Sequence, residues 1–275
     1  MGAMSATGAE GEPLDHVVVN VLHDMDAAVG LFTALGFTLT PRGHHSLGSI
    51  NHLMVVPGAY LELVGLPAEG RQRAEVRDSP RGLNGLVLRS ADADATHARL
   101  AQAELAPLDV VSFSRPVEVD GEQTAAAFRT VRVPDALFPA GRVYFCQHLT
   151  PDLVWRPDWM RHDNGFAGFA HFTIESPDPA RDSAIYAAAT AGTRRETDVI
   201  LPDGLEIRLR SGPGPRFAAL GLRFDTLAPL AERAAALDGV EWQEVSATQA
   251  LLNLPSCDLR IECYTTTDPD GDVCS

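Results

Sequence analysis

The sequence predicts an α+β fold in which βαβββ modules repeat and pair into half-open barrels. One order of elements, a strand, a helix and then three strands, recurs four times along the 275 residues. Helices occur only once per unit, whereas a doubly wound parallel sheet would need them between nearly all strands. No Gly-rich phosphate loop or dinucleotide fingerprint follows any strand, so we expect no nucleotide cofactor.

The first unit, residues 14–65, carries the clearest pattern. Residues 14–21 are rich in β-branched and aliphatic side chains and predict a strand. A helix follows from Asp24 to Gly36, because Asp suits its N-terminus and Gly suits the residue after its last turn. Three strands are then expected at 38–41, 51–56 and 59–65, with a loop at 43–48 between the first two.

The other units repeat this order with weaker patterns. The second has strands at 86–88, 110–113, 125–133 and 142–148 and a helix at 92–101; the third has strands at 169–174, 197–200 and 205–209 and a helix at 182–191; the fourth has strands at 218–224, 242–245, 250–254 and 259–264 and a helix at 227–237. We therefore expect a first module pair at 14–149, a linker at 150–165 and a second module pair at 166–264.

Composition narrows the partners of the protein. A formal net charge of −15 argues against binding to nucleic acid or to anionic membranes. No apolar run is long enough to span a membrane, and residues 1–13 lack the basic and apolar segments of a signal peptide. We expect a cytoplasmic protein with a small-molecule ligand, with disordered tails at 1–13 and 265–275.

Three of these segments also carry a family resemblance: residues 15–19, the helix that ends in Leu35-Gly36-Phe37, and Tyr60-Leu61-Glu62-Leu63. Together they resemble the glyoxalase-like, or vicinal oxygen chelate, superfamily. The resemblance covers nearly the whole chain as four modules. It implies the half-open barrel fold, but it does not name a reaction, because this superfamily hosts isomerases, epimerases, dioxygenases, transferases and binding proteins.

The resemblance implies metal ligands on the first and last strands of paired modules. In the first pair these positions are His16, Glu62 and Gln147, where Gln147 replaces a glutamate of the family pattern. The corresponding first-strand position of the second module falls near Asn84, a poor ligand. Strand alternation is expected to place His148 on the face opposite Gln147.

The second pair offers another set of ligands, namely His171, Glu206 and Glu262. Here Leu205-Glu206-Ile207 is matched to Leu61-Glu62-Leu63. One imidazole and two carboxylates would suit Fe(II), Mn(II), Ni(II) or Zn(II). Arg208 and Arg260 offer an alternative explanation, in which both glutamates form surface ion pairs.

Further residues are expected near the site. Glu62 could serve as a base, and His52 could take part in acid–base chemistry near neutral pH. Asn51, His148 and Trp155 are expected to contact the substrate. For His52 the alternative is a hydrogen-bonded strand residue, and for Trp155 it is packing between the module pairs.

Two functions follow from these patterns. The first is a divalent-metal-dependent isomerase, lyase or dioxygenase that acts on a small oxygen-rich substrate. The second is a metal-free protein of the same fold that binds or sequesters a small molecule. The sequence leaves open which module pair is active and whether the protein is a monomer or a homodimer.

Overall fold

The computed structural model describes residues 11–119 and 122–266. In the first half of the chain the strands are β1 (Leu14–Leu22), β2 (Gly43–His45), β3 (Ser49–Val56), β4 (Ala59–Gly65), β5 (Gly82–Arg89), β6 (Val111–Val119), β7 (Glu122–Arg132) and β8 (Arg142–His148), and the helices are α1 (Met25–Ala34), α2 (Ala74–Arg77) and α3 (Ala93–Gln102).

The second half repeats this arrangement. Its strands are β9 (Phe166–Ser176), β10 (Thr193–Arg195), β11 (Asp198–Ile200), β12 (Glu206–Ser211), β13 (Arg216–Phe224), β14 (Glu241–Ser246), β15 (Gln249–Leu254) and β16 (Leu259–Thr265), and its helices are α4 (Pro179–Thr190) and α5 (Ala228–Ala235).

Each half forms one eight-stranded sheet, and the two sheets have the same topology. The first runs β2-β3-β4-β1-β5-β8-β7-β6 and the second β10-β11-β12-β9-β13-β16-β15-β14. In each sheet the first strands of two modules, β1 with β5 and β9 with β13, pair antiparallel at the centre. This pairing confirms the predicted α+β fold of paired βαβββ modules.

Side-chain alternation on β1 explains how the first sheet divides its two faces. Val17, Val19 and Val21 belong to the large hydrophobic core shared by both halves of the chain. Val18 belongs to a separate apolar cluster on the other, concave face, together with Tyr60 and Phe128. The concave face of the first sheet is therefore lined partly by apolar and partly by polar side chains.

The structure corrects several expected boundaries. Residues 38–41 form no strand, and β2 lies instead within the expected loop at 43–48. Residues 1–10 and 267–275, most of the two expected tails, lie outside the described residues. Residue Glu12 is ordered, since its carboxylate accepts a hydrogen bond from Thr96 at 2.8 Å and pairs with Arg99. Among the described residues, no helix has the length and apolar character needed to cross a membrane.

Candidate active site

A cavity of about 490 Å³ lies within the first module pair. Its lining residues all belong to the chain before the linker, and they come from β1, β3, β4, β6, β7 and β8 among other segments. The two edges of the sheet approach each other across the cavity, with the rings of His45 on β2 and Phe113 on β6 at 6.3 Å. The sheet thus curls into a nearly closed barrel around the cavity, whose volume suits a small organic ligand.

His16 enters this cavity from β1, and a β-bulge determines its orientation. Leu14 pairs with Leu88 and His16 pairs with Val87, so Asp15 is an extra residue in β1. The bulge allows Asp15 to sit beside its neighbour, where Nδ1 of His16 donates a hydrogen bond to Oδ1 of Asp15 at 2.6 Å. This bond fixes the tautomer of the imidazole, so the lone pair of Nε2 faces the cavity.

Asp15 is completely buried and holds a second histidine as well. Nε2 of His148 lies 3.0 Å from Oδ2 of Asp15. Burial alone would raise the pKa of Asp15, but the hydrogen bonds from His148 and His16 outweigh it and hold that pKa well below its ordinary value. Asp15 is therefore a stable carboxylate at neutral pH and an effective anchor for His16.

Glu62 reaches the same point from β4. It is only 7% exposed, and its Oε2 lies 3.5 Å from Nε2 of His16. Asn51 on β3 donates a hydrogen bond to Oε1 of Glu62 at 2.6 Å, which fixes the carboxylate. The hydroxyl of Tyr144 on β8 lies 3.2 Å from Nε2 of His16. One imidazole, one carboxylate and one phenol thus converge on the floor of the cavity.

These three side chains form a donor set that suits a divalent transition metal. His16 Nε2 and Glu62 Oε2 are close enough to share one ion, and the buried Asp15 behind His16 is the arrangement found behind metal-binding histidines. Tyr144 is the weakest donor, because burial and the nearby Glu62 raise its pKa and keep the phenol protonated. The residues therefore fit a metal with two strong protein ligands and open positions.

Gln147 lies away from this group. Its side chain accepts a hydrogen bond from the backbone of Ala93 at 3.1 Å and donates one to the carbonyl of Ala91, both at the start of α3. Tyr144 and Cys146 line the cavity from the other face of β8. Strand alternation therefore makes Tyr144 the last-strand residue that faces His16, and it corrects the predicted position of Gln147.

Alternation also separates Asn51 from His52. Asn51 faces Glu62 in the cavity. His52 faces the segment between α1 and β2, where its ring hydrogen-bonds to the carbonyl of Thr40 at 2.7 Å and accepts from Arg42 at 3.1 Å. His52 is not among the residues that line the cavity. The structure thus favours the alternative of a hydrogen-bonded strand histidine at this position.

His148 and Trp155 lie next to the cavity but do not line it. The two rings contact each other at 4.7 Å, and Trp155 also contacts Tyr60 at 6.0 Å. His148 lies on the face of β8 opposite Gln147, as strand alternation predicts, and this is the face that carries Tyr144. Asp15, Cys146 and His148 lie close enough together to hold a metal ion. However, burial raises the pKa of the Cys146 thiol, and Asp15 already accepts hydrogen bonds from His16 and His148.

The second module supplies no counterpart of His16. Val18 pairs with Gly85 and Val19 pairs with Leu83, so Asn84 is the bulge residue of β5, as Asp15 is of β1. Its side-chain oxygen accepts a hydrogen bond from Nε of Arg142 at 2.9 Å. Gly85, which follows Asn84 as His16 follows Asp15, has no side chain to offer as a ligand.

In the second module pair, His171 and Glu262 come together, whereas Glu206, the third predicted ligand, lies apart from them. Nε2 of His171 lies 3.4 Å from Oε2 of Glu262. Glu206 pairs in register with His171, as Tyr60 does with His16, so the residue in the place of Glu62 is Arg208. Glu206 accepts a hydrogen bond from Arg208 at 2.8 Å, the ion pair that the sequence offered as an alternative.

Tyr144, His45 and Arg115 are three polar residues of the cavity that the sequence did not predict as site residues. Nε2 of His45 is buried without a hydrogen-bond partner among the described residues, and burial lowers the pKa of this histidine to about 4. His45 is therefore neutral at pH 7. The alternation of β8 could have identified Tyr144, whereas nothing in the local sequence distinguishes Arg115.

The fold and this site define a protein of the vicinal oxygen chelate class. A family model described as a glyoxalase-like domain matches residues 14–190, and the chain belongs to this family. No curated protein sequence matches the chain.

Solved structures show the same fold at low sequence identity. A hypothetical protein from Staphylococcus aureus has a TM-score of 0.63 at 11% identity, over 92% of this chain and 99% of that one. A mutant of 4-hydroxymandelate synthase from Streptomyces coelicolor has a TM-score of 0.62 at 13% identity, over 96% and 94%. A fusion protein of a xylose isomerase-like TIM barrel and 4-hydroxyphenylpyruvate dioxygenase has a TM-score of 0.59 at 13% identity, over 93% and 49%.

Proposed function

We propose that the protein is a divalent-metal-dependent enzyme whose active site is the cavity of the first module pair. The supporting observation is the convergence of His16 Nε2 and Glu62 Oε2, 3.5 Å apart, at the floor of a cavity of about 490 Å³. A buried carboxylate and an imidazole that face a cavity need a cation, a ligand or water as a partner. The fold similarity to 4-hydroxymandelate synthase and to a fusion with 4-hydroxyphenylpyruvate dioxygenase supports an enzyme rather than a structural protein.

His16 and Glu62 would hold the metal, and Asp15 would keep the imidazole in the required tautomer. When bound, the metal would act as a Lewis acid toward vicinal oxygens of a small substrate. Asn51 holds one oxygen of Glu62, and the protonated hydroxyl of Tyr144 can donate a hydrogen bond to a substrate oxygen. An isomerase, a lyase and a dioxygenase all use such an arrangement, and the protein would act on its small-molecule substrate in the cytoplasm as a monomer or homodimer.

Metal analysis of untagged protein tests this proposal. We expect about one Fe, Mn, Ni or Zn ion per chain in the wild type, loss of the ion in Glu62→Gln, and retention in Glu262→Gln, the matched variant of the second pair. Loss only in Glu262→Gln would move the site to His171 and Glu262. Unchanged metal content in His16→Ala and Glu62→Gln would refute the assignment of these two residues.

A metal-free binding protein is the second candidate, and the second module favours it. Gly85 and Tyr144 stand at the positions from which that module would supply its own ligands, so only two strong ligands remain. His45 Nε2 and Asn51 Oδ1 are buried without a partner among the described residues and could bind a polar ligand directly. Absence of metal after incubation with each of the four ions, together with ligand binding without turnover, would select this function.

A further inference from the structure

Arg115 on β6 is a buried cation that lines the cavity, and the residue is only 5% exposed. Within residues 11–119 and 122–266, the part of the chain that the structure describes, no hydrogen bond or ion pair joins its guanidinium to another side chain. Leaving a buried guanidinium unpaired is costly, so the contents of the cavity must supply its partner.

The other charges of the cavity do not neutralise Arg115. Glu75 is shared by two other arginines, since it lies 2.7 Å from Arg73 and 2.6 Å from Arg132. Among the described residues, Arg142 donates only to the neutral side chain of Asn84. Glu62 is already engaged by Asn51 and His16, and no ion pair joins it to Arg115.

The lack of an ion pair at Arg115 favours an anionic ligand in either state of the site. Two further carboxylates, Asp78 and Asp135, line the cavity, but Asp78 pairs with Arg77 and neither forms an ion pair with Arg115 among the described residues. A bound divalent ion would compensate Glu62, the carboxylate of the cavity floor, and leave Arg115 to the ligand. A planar carboxylate matches the fork of a guanidinium, which can donate two parallel hydrogen bonds to it.

The wall and the mouth of the cavity are apolar. Phe113 and Phe128 stack with their ring centroids 5.2 Å apart and their planes at 22°. Among the described residues, five large hydrophobic side chains are exposed, and three of them, Leu47 (38%), Leu108 (48%) and Val111 (38%), line this cavity. Such a cluster of exposed apolar side chains is typical of a site that covers an apolar ligand.

We propose that the substrate is an organic acid with an apolar body, whose carboxylate pairs with Arg115 while the body packs on Phe113, Phe128 and the apolar mouth. This inference rests on the proposed function only in placing the ligand in the same cavity. It adds the substrate class and a residue that determines specificity. Arg115 binds and positions the acid and takes no part in the chemical step.

The test compares acids with their amides by titration calorimetry. The ligands are acetate, hexanoate and phenylacetate with the corresponding amides, and the protein is treated with EDTA so that no metal can bind the carboxylate. We expect the two larger acids to bind at least about tenfold more tightly than their amides and than acetate. Arg115→Gln should remove the preference for acid over amide, and Arg115→Lys should keep part of it.

Arg129→Gln is the matched control. Arg129 is an arginine of the neighbouring strand β7, and it pairs with Asp94 of α3 outside the cavity. This variant should keep the wild-type preference, and circular dichroism checks that each variant is folded. If no acid binds more tightly than its amide, or if Arg115→Gln keeps the preference for acids, the proposal is overturned. Equal binding of acetate and phenylacetate would overturn the proposed packing of an apolar body on Phe113 and Phe128.

Metal content, measured on the same samples before EDTA treatment, separates this inference from the proposed function. A metal-free protein that still prefers acids would refute the metal-dependent enzyme and leave the role of Arg115 standing. A protein that binds metal through His16 and Glu62 but does not discriminate acids from amides would support the metal-dependent enzyme and overturn the role of Arg115.

Discussion

The two module pairs have the same strand order and the same bulge, but different residues occupy the bulge. His16 follows Asp15 in β1, and His171 follows Ala170 in β9, where Phe169 pairs with Leu222 and His171 pairs with Gly221. His16 therefore has a buried carboxylate behind it, whereas Nδ1 of His171 is buried without a hydrogen-bond partner in the described chain. The comparison indicates that the fold positions an imidazole in both pairs but anchors it in one.

The residues that face these histidines have also diverged. Glu62 in the first pair corresponds by register to Arg208 in the second, and Tyr144 corresponds to Glu262. Each pair thus keeps one carboxylate near its histidine, but on strands that lie on opposite sides of the histidine-bearing strand: β4 beside β1, and β16 beyond β13 from β9. A Cβ atom at Gly221 would lie 2.2 Å from Nδ1 of His171, so the glycine is needed to make room for the ring.

The largest effect is expected from removal of Asp15. Asp15→Ala leaves His16 and His148 without their common acceptor inside the protein, so we expect the free energy of unfolding to fall by about 3 kcal/mol or more. Urea denaturation at pH 7 measures it. Asp94→Ala, which removes the exposed partner of Arg129, is the control and should leave stability unchanged. A loss in Asp15→Ala no larger than that of the control would contradict the role of the bulge.

The second prediction restores a carboxylate in the first pair. Tyr144→Glu places it at the position of Glu262, beside His16 and Glu62, so affinity for Mn(II) or Zn(II) should rise about tenfold or more. Gln147→Glu is the matched control, because its side chain faces the start of α3. Calorimetric titration with metal measures both variants. An increase in Gln147→Glu that equals the increase in Tyr144→Glu would show that β8 presents the other face to the cavity.

These comparisons also explain how much the sequence could predict. The modules and their order were predictable because β-branched runs, helix caps and turns repeat in the same sequence order four times. His16 and Glu62 were predictable because a carboxylate and an imidazole inside apolar strands need a polar partner. The predicted strand at 38–41 was wrong because this segment bonds to β3 at Thr40, whose N–H donates to the carbonyl of Leu53, without forming a strand ladder.

The ligand positions failed where the argument depended on register. Gln147 was chosen because it stands where the family has a glutamate, although alternation from Cys146 turns it toward α3. Glu206 was matched by its flanking residues and lies two residues from the place of Glu62. The bulge at Asp15 and the isolation of Arg115 depend on contacts across the sheet, which a single sequence does not display.

The third prediction uses pH to distinguish the two pairs. The pKa of His45 is lowered to about 4 by burial, so the unfolded chain binds the proton first and stability falls as pH drops from about 6.5 to 4. The pKa of Glu262 is lowered to about 2 by His171 and Tyr264, so its contribution is lost between about pH 4.5 and 2. Melting temperatures measured across pH should decline less between pH 6.5 and 4 for His45→Gln, and less between pH 4.5 and 2 for Glu262→Gln. The reverse pattern, with each variant acting in the other pH range, would refute the assignment of these two pKa shifts.

The smallest effect is expected at Glu206 and Arg208. Both side chains are about one-third exposed and lie 2.7 Å apart, so a double-mutant cycle of Glu206→Gln and Arg208→Met should give a coupling energy below about 1 kcal/mol. Metal content should not change in either variant, since Arg208 occupies the place that Glu62 has in the first pair. Loss of metal in Glu206→Gln, with metal retained in Glu62→Gln, would contradict this and place the functional centre in the second pair. The ion pair at Glu206 would then be a resting state that a metal displaces.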